Sequence, residues 1–337
     1  MKAIGFKQSL PISEANSFMA FDTEKPTPKG FELLVKIEAL SVNPVDFKVR
    51  QNAAKDMVLD TPKIIGWDAS GIVEAVGDQT SKFKVGDLVY YAGDITKDGC
   101  NAEYQVIDER IVGKKPKALT HAEAAAMPLT TLTAYETLFD RIKVNPESDK
   151  GKTVLILAGA GGVGSIAIQL AKKLTNLTVI ATASREDSVQ WCTDLGADFV
   201  VNHHHLKEEL QKIGHPEVNY ILDFVDLEGY WELAADIIKP QGHIVSITGS
   251  TNPLDLNLLK NKSVTFSYEF MYTRSMYTTD DIEKQHDILN QIADLLDDGT
   301  LKSTLTTTLK GFTVENLKEA HRLQESGKSI GKTVIVF

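Results

Sequence analysis

The sequence predicts an α/β protein with two domains, one rich in β-strands and one built on a doubly wound parallel sheet. The first third of the chain alternates apolar and polar residues, as along 33–39, with the period of two that half-buried strands show. The middle of the chain has unbroken apolar runs with helix-like segments between them, which is typical of buried parallel strands and their crossover helices. A chain of 337 residues is long enough for both domains.

Short strands separated by turn residues make up the predicted β-rich domain. After the alternating segment 33–39, further strands are expected at Ser70–Val76, Leu88–Ala92 and Glu103–Ile107, with glycines between them. Closely spaced short strands favour a barrel or a sandwich over a set of irregular loops.

The predicted parallel sheet rests on apolar runs that recur roughly every 20 to 25 residues, an interval that suits a strand, a helix and their connections. These runs are Val154–Ala158, Thr178–Ala183, Phe199–Val201, Tyr220–Val225, Ile244–Ile247 and Val264–Phe266. Because the runs are apolar throughout, we expect helices to cover both faces of the sheet.

The last part of the chain changes character again. Apolar residues at helical spacing predict an amphipathic helix over Asp280–Asp298, with Gly299 as its stop signal. A second helix is expected over Val314–Ser326 and a final strand over Thr333–Val336. A strand in this position can return to the sheet of the first domain.

Composition limits the class of partner. The formal net charge of −10 argues against nucleic acid or a membrane surface as the main partner. The two cysteines, Cys100 and Cys192, are too few for a disulfide framework or a thiolate-rich zinc site. We predict an ordinary packed or partly exposed thiol for Cys100, not a nucleophile, and a core position for Cys192. The N-terminus lacks a signal-peptide pattern, and no run reaches the roughly 18 apolar residues of a membrane span. The cytoplasm is therefore the expected compartment.

The most specific motif is a glycine-rich turn between a predicted strand and a predicted helix. Gly159, Gly161 and Gly164 form a G-x-G-x-x-G pattern, with Gly162 and Val163 completing the turn. The first glycine permits a tight turn, the second lets the backbone approach a pyrophosphate, and the third lets helix and strand pack closely. The N–H groups at the helix start then face the phosphates. We interpret the turn as a dinucleotide-binding site; the alternative is a strand-to-helix turn without a ligand.

The choice of nicotinamide cofactor depends on the next strand. An acidic residue at its end would bind the ribose 2′-hydroxyl of NAD, but this strand is followed by Ser184 and Arg185. A hydroxyl donor and a guanidinium suit a 2′-phosphate, so the sequence predicts NADPH as the cofactor. The alternative is that Ser184 and Asp187 form a helix-capping box, with Arg185 a solvated charge.

These residues resemble the medium-chain dehydrogenase/reductase superfamily, specifically its quinone oxidoreductase branch. The resemblance runs over nearly the whole chain, and the segment Glu269–Ser275 is similar to that of the zinc-type alcohol dehydrogenase-like proteins. Its other landmarks are Val42-Asn43-Pro44-Val45-Asp46, Gly66-Trp67-Asp68-Ala69-Ser70-Gly71, Val85-Gly86-Asp87, Ala102-Glu103-Tyr104, Leu132-Thr133-Ala134-Tyr135-Glu136 and the Gly159–Gly164 turn.

The resemblance implies an architecture. It implies a GroES-like β-rich catalytic domain formed by residues 1–125 and 271–337, and a Rossmann NADPH-binding domain over residues 126–270. It further implies an active-site cleft between the two domains and a homodimer, commonly formed through the edge strands of the two Rossmann sheets.

The zinc pattern of the superfamily is missing. Zinc alcohol dehydrogenases carry a cysteine where this chain has Asn43 and a His-Glu pair where it has Trp67-Asp68, and their four-cysteine lobe is absent. A catalytic zinc needs three ligands among Cys, His and acidic residues, so we predict no metal. The run His203–His205 is the remaining candidate, but consecutive side chains rarely converge on one ion, and a solvated loop is the better interpretation.

Without a Lewis acid, the chemistry that the sequence favours is hydride transfer from NADPH to a small-molecule acceptor, a quinone or another conjugated carbonyl compound. The resemblance places Asn43–Lys48 at the nicotinamide end of the cleft, so Asn43 and Lys48 are candidate hydrogen-bond donors to the acceptor. Trp67 is a candidate apolar wall. The alternatives are a loop asparagine bonded to its own backbone for Asn43, and a surface charge for Lys48.

Further cofactor contacts follow from the rule that ligands bind at the carboxyl ends of parallel strands. The candidates are Thr131, Thr133, Phe224, Val225, Thr248 and Gly249, each with a core or turn role as the alternative. Three other functions stay open: an enoyl-thioester or alkenal reductase on the same scaffold, a cofactor-binding protein without catalysis, and a zinc alcohol dehydrogenase.

Overall fold

The computed structural model describes all residues, 1–337. Two compact units make up the chain: unit 1 comprises Met1–Leu132 and Tyr272–Phe337, and unit 2 comprises Thr133–Met271. The structure thus divides the chain at 132/133 and 271/272, where the family resemblance implied divisions at 125/126 and 270/271. The α/β fold class, with a β-rich unit and a parallel-sheet unit, is confirmed.

Sixteen strands and eleven α-helices follow one another along the chain. The N-terminal part of unit 1 contains β1 (Lys2–Phe6), β2 (Met19–Asp22), β3 (Glu32–Ser41), α1 (Pro44–Asn52), β4 (Lys63–Ile64), β5 (Asp68–Val76), β6 (Leu88–Tyr91), β7 (Tyr104–Asp108), β8 (Val112–Lys114) and α2 (His121–Ala125). Helix α3 (Pro128–Tyr135) runs across the division into unit 2, where a π-helical turn over Glu136–Arg141 continues it. Unit 2 contains β9 (Thr153–Ile156), α4 (Gly162–Leu174), β10 (Thr178–Thr182), α5 (Glu186–Asp194), β11 (Phe199–Val201), α6 (Leu206–Lys212), β12 (Val218–Asp223), α7 (Leu227–Ile237), β13 (Ile238–Ser246), α8 (Asn257–Lys260) and β14 (Thr265–Tyr268). The C-terminal part of unit 1 contains α9 (Thr273–Tyr277), α10 (Lys284–Asp297), β15 (Leu305–Lys310), α11 (Val314–Glu325) and β16 (Lys332–Val336).

Unit 1 is built on a seven-stranded sheet in the order β15-β16-β3-β5-β6-β8, with β7 paired to β3, and on a three-stranded sheet β2-β1-β4. The predicted return of the last strand is confirmed, because Val334 of β16 pairs antiparallel with Ser41 of β3. The C-terminal strand therefore joins β3 in the larger sheet, and α11 packs against both β16 and α1.

Unit 2 is a six-stranded, all-parallel sheet in the order β11-β10-β9-β12-β13-β14. Numbered within this unit, the order is 3-2-1-4-5-6, the doubly wound arrangement whose direction of winding reverses between β9 and β12. Residues of one hydrophobic cluster, among them Leu155, Ile180, Ile221, Leu210 and Trp231, pack between the sheet and the helices α6 and α7.

Several predicted boundaries shift for local reasons. The first apolar run ends as a strand at Ile156, because Ala158 has a φ of 57° and already belongs to the turn. The run expected over Tyr220–Val225 ends at Asp223, and the helix expected from Asp280 begins at Lys284. Of all the helices, none is both long enough and apolar enough to span a bilayer.

Candidate cofactor and active site

The glycine-rich turn after β9 is anchored to the end of β10. The backbone N–H of Ala158 donates to the hydroxyl of Thr182 at 2.9 Å, and the N–H of Gly159 donates to the Thr182 carbonyl at 3.0 Å. The turn is thus held in place by contacts within the protein before any ligand binds.

Two of the three motif glycines are required by packing within the protein. A Cβ at Gly164 would lie 2.3 Å from the Ala158 carbonyl oxygen, and one at Gly159 would lie 2.8 Å from the Cβ of Ala181. A Cβ at Gly161 would meet only the Ala158 oxygen, at 3.3 Å. The missing side chain of Gly161 therefore leaves space on the outer side of the turn, where a ligand can approach the backbone.

Helix α4 begins at Gly162 with Gly161 as its N-cap, and no side chain caps it. The first N–H groups of a helix have no partner within the helix, and here Gly162 and Val163 are half-buried. The helix dipole favours an anion at this point. The turn and helix start fit a pyrophosphate, since they combine open backbone N–H groups with a glycine cradle.

Strand β10 ends at Thr182, and after the buried Ala183 come Ser184 and Arg185, both exposed. The alternative capping box of Ser184 with Asp187 is wrong: α5 starts one residue later, with Arg185 as N-cap and the Ser188 hydroxyl accepting from the Arg185 N–H at 3.1 Å. The Arg185 side chain lies 3.5 Å from the Asp187 carboxylate and is 43% exposed. Because its hydroxyl is not needed to cap α5, Ser184 can donate to a phosphate.

The ends of β12 and β13 are joined by a buried carboxylate that sequence reasoning missed. Asp223, 2% exposed, accepts hydrogen bonds from the hydroxyls of Ser246 at 2.6 Å and Thr248 at 2.9 Å. Its second oxygen accepts the backbone N–H groups of Val225 at 3.0 Å and Asp226 at 2.9 Å. An acidic residue inside the apolar run 220–225 was the available signal.

The predicted contacts at these strand ends take specific places. Phe224 and Val225 lie in the turn after β12, not in the strand, and Val225 is 49% exposed. The Thr248 hydroxyl is occupied by Asp223 and by the N–H of Leu227 at 2.9 Å, so its side chain is not a free donor to a cofactor. Gly249 is exposed, and a Cβ added to it would meet no atom within 4 Å.

Unit 1 contains a buried polar cluster of three residues from distant parts of the chain. The Lys332 ammonium, 1% exposed, donates to the Asn43 side-chain oxygen, to the Asp68 carboxylate at 3.1 Å and to the Val42 carbonyl at 3.3 Å. The amide of Asn43 donates to the same Asp68 oxygen at 2.8 Å, and the N–H of Leu129 donates to the other at 2.8 Å.

This cluster corrects the prediction for Asn43. The residue is 1% exposed, it is the N-cap of α1, and its side-chain oxygen and nitrogen are bonded to Lys332 and Asp68. Its backbone N–H donates to the Asp46 carboxylate at 2.6 Å, so it is not a loop residue bonded to itself. Asn43 thus organises the interior of unit 1 instead of presenting a free donor.

Burial sets the ionisation of the neighbouring groups. Desolvation raises the pKa of Asp46 to about 7, although the N–H of Asn43 and the charge of Lys332 oppose it. Burial also raises the pKa of Asp68, against the opposing charge of Lys332. Burial likewise raises the pKa of the Cys100 thiol, and that of Cys192 to about 12, so both are packed, unreactive thiols as predicted.

The other predicted residues lie as follows. Trp67 is fully buried, with its ring 6.2 Å from that of Tyr272 in an edge-to-face contact. Lys48 is exposed on α1. Thr131, fully buried, and Thr133, 4% exposed, lie on α3.

The residues at the superfamily's metal positions do not fit a zinc ion. Trp67 has no ligating atom, and the Asn43 oxygen accepts from Lys332, whose positive charge lies beside Asp68 and would repel a cation. Nowhere do three His, Cys, Asp or Glu side chains group as a metal site would require. The run His203–His205 forms a 3₁₀ turn in which His204 and His205 are exposed.

Two family models match the chain. A model described as an alcohol dehydrogenase GroES-like domain matches residues 29–117. A model described as a zinc-binding dehydrogenase matches residues 195–335.

Individual relatives extend the match to the full length. A zinc-type alcohol dehydrogenase-like protein of Staphylococcus epidermidis is 47% identical over 99% of this chain and 99% of its own. A 2-methylene-furan-3-one reductase of tomato, Solanum lycopersicum, is 32% identical and covers 92% of this chain and 73% of its own. The structure of Escherichia coli quinone oxidoreductase complexed with NADPH is 25% identical, with a TM-score of 0.84 over 100% of both chains.

Proposed function

The chain belongs to the medium-chain dehydrogenase/reductase superfamily of nicotinamide-dependent oxidoreductases, and on that premise we propose that it reduces a quinone or another conjugated carbonyl compound with NADPH and without zinc. The observation that carries this proposal is the carboxyl edge of the parallel sheet in unit 2. The Gly159–Gly164 turn, Ser184 with Arg185, and the turn after β12 all lie on this edge.

The residues for the two halves of the cofactor follow from the sheet order. A dinucleotide binds where the winding reverses, which in this sheet is between β9 and β12. The N–H groups of Gly162 and Val163 would hold the pyrophosphate, and the turn Phe224–Val225 would lie beside the nicotinamide. When bound, NADPH supplies a hydride from its nicotinamide ring.

Two observations support NADPH over NADH. The end of β10 carries no acid that would bind a ribose 2′-hydroxyl, and it is followed by an exposed hydroxyl and an exposed guanidinium. These two groups together suit a phosphate dianion, to which Arg185 can donate two hydrogen bonds. The NADPH complex of the similar Escherichia coli enzyme supports the same choice.

The class of hydride acceptor follows from the residues that unit 1 has at the metal positions and on α1. The residues at the metal positions do not fit a zinc ion that would act as a Lewis acid. A simple ketone or alcohol is therefore a poor substrate. A conjugated acceptor spreads the negative charge that the hydride brings, and the proton that completes the two-electron reduction comes from solvent or from the Nζ of Lys48. Lys48 is exposed on α1, whereas Asn43 and Trp67 are buried.

The proposed function is tested by following NADPH oxidation by absorbance with a reactive ortho-quinone, with and without a metal chelator. We expect turnover that the chelator leaves unchanged and a purified protein with less than stoichiometric zinc. Loss of activity on chelation, restored by zinc, would overturn the zinc-free mechanism. NADPH binding without turnover on any acceptor would favour a non-catalytic, cofactor-binding protein.

Arg185→Ala is expected to weaken NADPH binding by about 10- to 100-fold, because a charge-assisted hydrogen bond contributes about 1.5–3 kcal/mol. NADH binding should change less than about threefold, since NADH has no 2′-phosphate for the guanidinium. Fluorescence titration with both cofactors measures the two dissociation constants. Arg322→Ala, which removes an exposed guanidinium of α11, is the matched control. Equal losses for NADPH and NADH would contradict the assignment of Arg185.

An alkenal or enone reductase is the second candidate function. The tomato relative, 32% identical, is named as a reductase of a compound with a carbon–carbon double bond next to a ketone. Hydride addition to such a bond needs the same cofactor site and again no metal. Comparing kcat/KM for an α,β-unsaturated ketone and for the ortho-quinone decides between the two acceptor classes.

A further inference from the structure

We propose that Asp223 is the positioning residue of the nicotinamide half of the cofactor site, holding the ends of β12 and β13 in the shape that the ring needs. The inference rests on the proposed function, because it assumes that a nicotinamide cofactor binds at this edge. It adds a residue that no sequence motif pointed to. Asp223 itself is buried and need not touch the cofactor.

The Asp223 carboxylate accepts four hydrogen bonds, and we call this arrangement the Asp223 junction. One oxygen accepts the N–H groups of Val225 at 3.0 Å and Asp226 at 2.9 Å, which shapes the turn after β12. The other accepts the hydroxyls of Ser246 at 2.6 Å and Thr248 at 2.9 Å, which lie at the end of β13. Two neighbouring strand ends are therefore tied to one group.

Only a carboxylate satisfies all four donors. A buried donor left without an acceptor costs the desolvation of that group, so the junction is sensitive to the loss of even one oxygen. Asparagine has the same shape but presents an NH₂ to Ser246 and Thr248. The Thr248 hydroxyl already accepts from the N–H of Leu227 at 2.9 Å and has little freedom to reverse its role.

The groups that this junction holds are the ones open to a ligand. Val225, two residues after the end of β12, is 49% exposed, and a Cβ at Gly249 would meet no atom within 4 Å. The apolar Val225 side chain and the open backbone at Gly249 suit a flat aromatic amide ring. Because the Thr248 hydroxyl is bonded to Asp223 and Leu227, the segment after β13 offers the ring its backbone and not this side chain.

The test compares two probes, NADPH and 2′-phospho-ADP-ribose, which lacks the nicotinamide ring. We expect Asp223→Asn to weaken NADPH binding roughly tenfold and to leave the affinity for 2′-phospho-ADP-ribose within about twofold, because only the ring half is misplaced. A fall in kcat with the ortho-quinone of roughly 10- to 100-fold should accompany the change.

Controls separate positioning from folding. Asp236→Asn changes an exposed carboxylate of α7, paired with the Lys207 ammonium at 2.5 Å and not part of the cofactor edge, and it should leave both affinities unchanged. If Asp223→Asn does not fold, Thr248→Val removes a single hydroxyl of the junction and should show a smaller split of the same sign. Equal losses for the two probes, or no loss for either, would overturn the inference.

An error in the proposed choice of NADPH would give a result different from an error in the inference about Asp223. If the wild-type protein prefers NADH, the same split is measured with NADH and ADP-ribose, and the role of Asp223 stands or falls on that pair. If the wild-type protein binds neither cofactor, the proposed function fails, and the inference about Asp223 fails with it.

Discussion

Lys332→Met is expected to destabilise unit 1 by about 3–5 kcal/mol, the usual cost of leaving one member of a buried ion pair without its partner. The side chain of Lys332 is 1% exposed and that of Asp68 is 0% exposed, so water cannot replace the lost ammonium. Asn43 would also lose the donor to its side-chain oxygen. Chemical denaturation followed by circular dichroism measures the free energy of unfolding.

Two further variants make this result interpretable. Lys117→Met removes an exposed ammonium and should change the free energy of unfolding by less than about 0.5 kcal/mol. Adding Asp68→Asn to Lys332→Met removes the stranded carboxylate, and the double variant should recover at least half of the loss. A loss below about 1 kcal/mol for Lys332→Met alone would show that the pair is not held in the buried geometry described above.

The second large effect is expected at the glycine-rich turn, where two alanine substitutions should separate folding from binding. Gly164→Ala should destabilise unit 2 by about 3 kcal/mol and abolish NADPH binding, since its Cβ would lie 2.3 Å from a backbone oxygen that cannot move aside. Gly161→Ala, with a contact of 3.3 Å, should cost less than about 1 kcal/mol of stability.

Gly161→Ala should nevertheless weaken NADPH binding at least about tenfold, because the methyl group would stand where the pyrophosphate approaches the backbone. Thermal unfolding and NADPH titration of both variants measure the two effects. Unchanged NADPH affinity in Gly161→Ala would remove the turn as the phosphate site. The dissociation constant therefore tests the site, and the unfolding curve tests the packing.

Much of the fold follows from local patterns. The strands of unit 2 were predictable because strands buried on both faces leave unbroken apolar runs, and Phe199–Val201 is found with its predicted bounds. The strands β1, β2, β4, β8 and β15 were missed. In β15, Leu305–Lys310, three threonines dilute the apolar signal, and β4 is only two residues long. Helix α1 was also missed, since its mean hydropathy is low and its start is marked only by Asn43-Pro44.

The residues of the candidate site also divide into those that local sequence patterns identified and those whose partners are distant along the chain. Motif residues that act through their own backbone, such as Gly159, Gly161 and Gly164, were identified because a glycine's effect depends on the neighbouring few residues. The placement of Ser184 and Arg185 after β10 followed from counting along one strand–helix unit. The buried bonds of the Asn43 side chain could not be predicted, because its partners, Asp68 and Lys332, are 25 and 289 residues away along the chain.

The amino-acid sequence alone was thus sufficient for the fold class, the glycine-rich turn and the absence of zinc ligands at Asn43 and Trp67, since each depends on residue type or on short-range periodicity. Only the tertiary structure decided that Lys332 is paired with Asp68, and that Asp223 joins the ends of β12 and β13. The physical reason is that these side chains are charged, and charge gives no periodic signal for burial. Their burial is stable only because the folded chain brings partners together from distant strands, and no local pattern of residues records which partners those are.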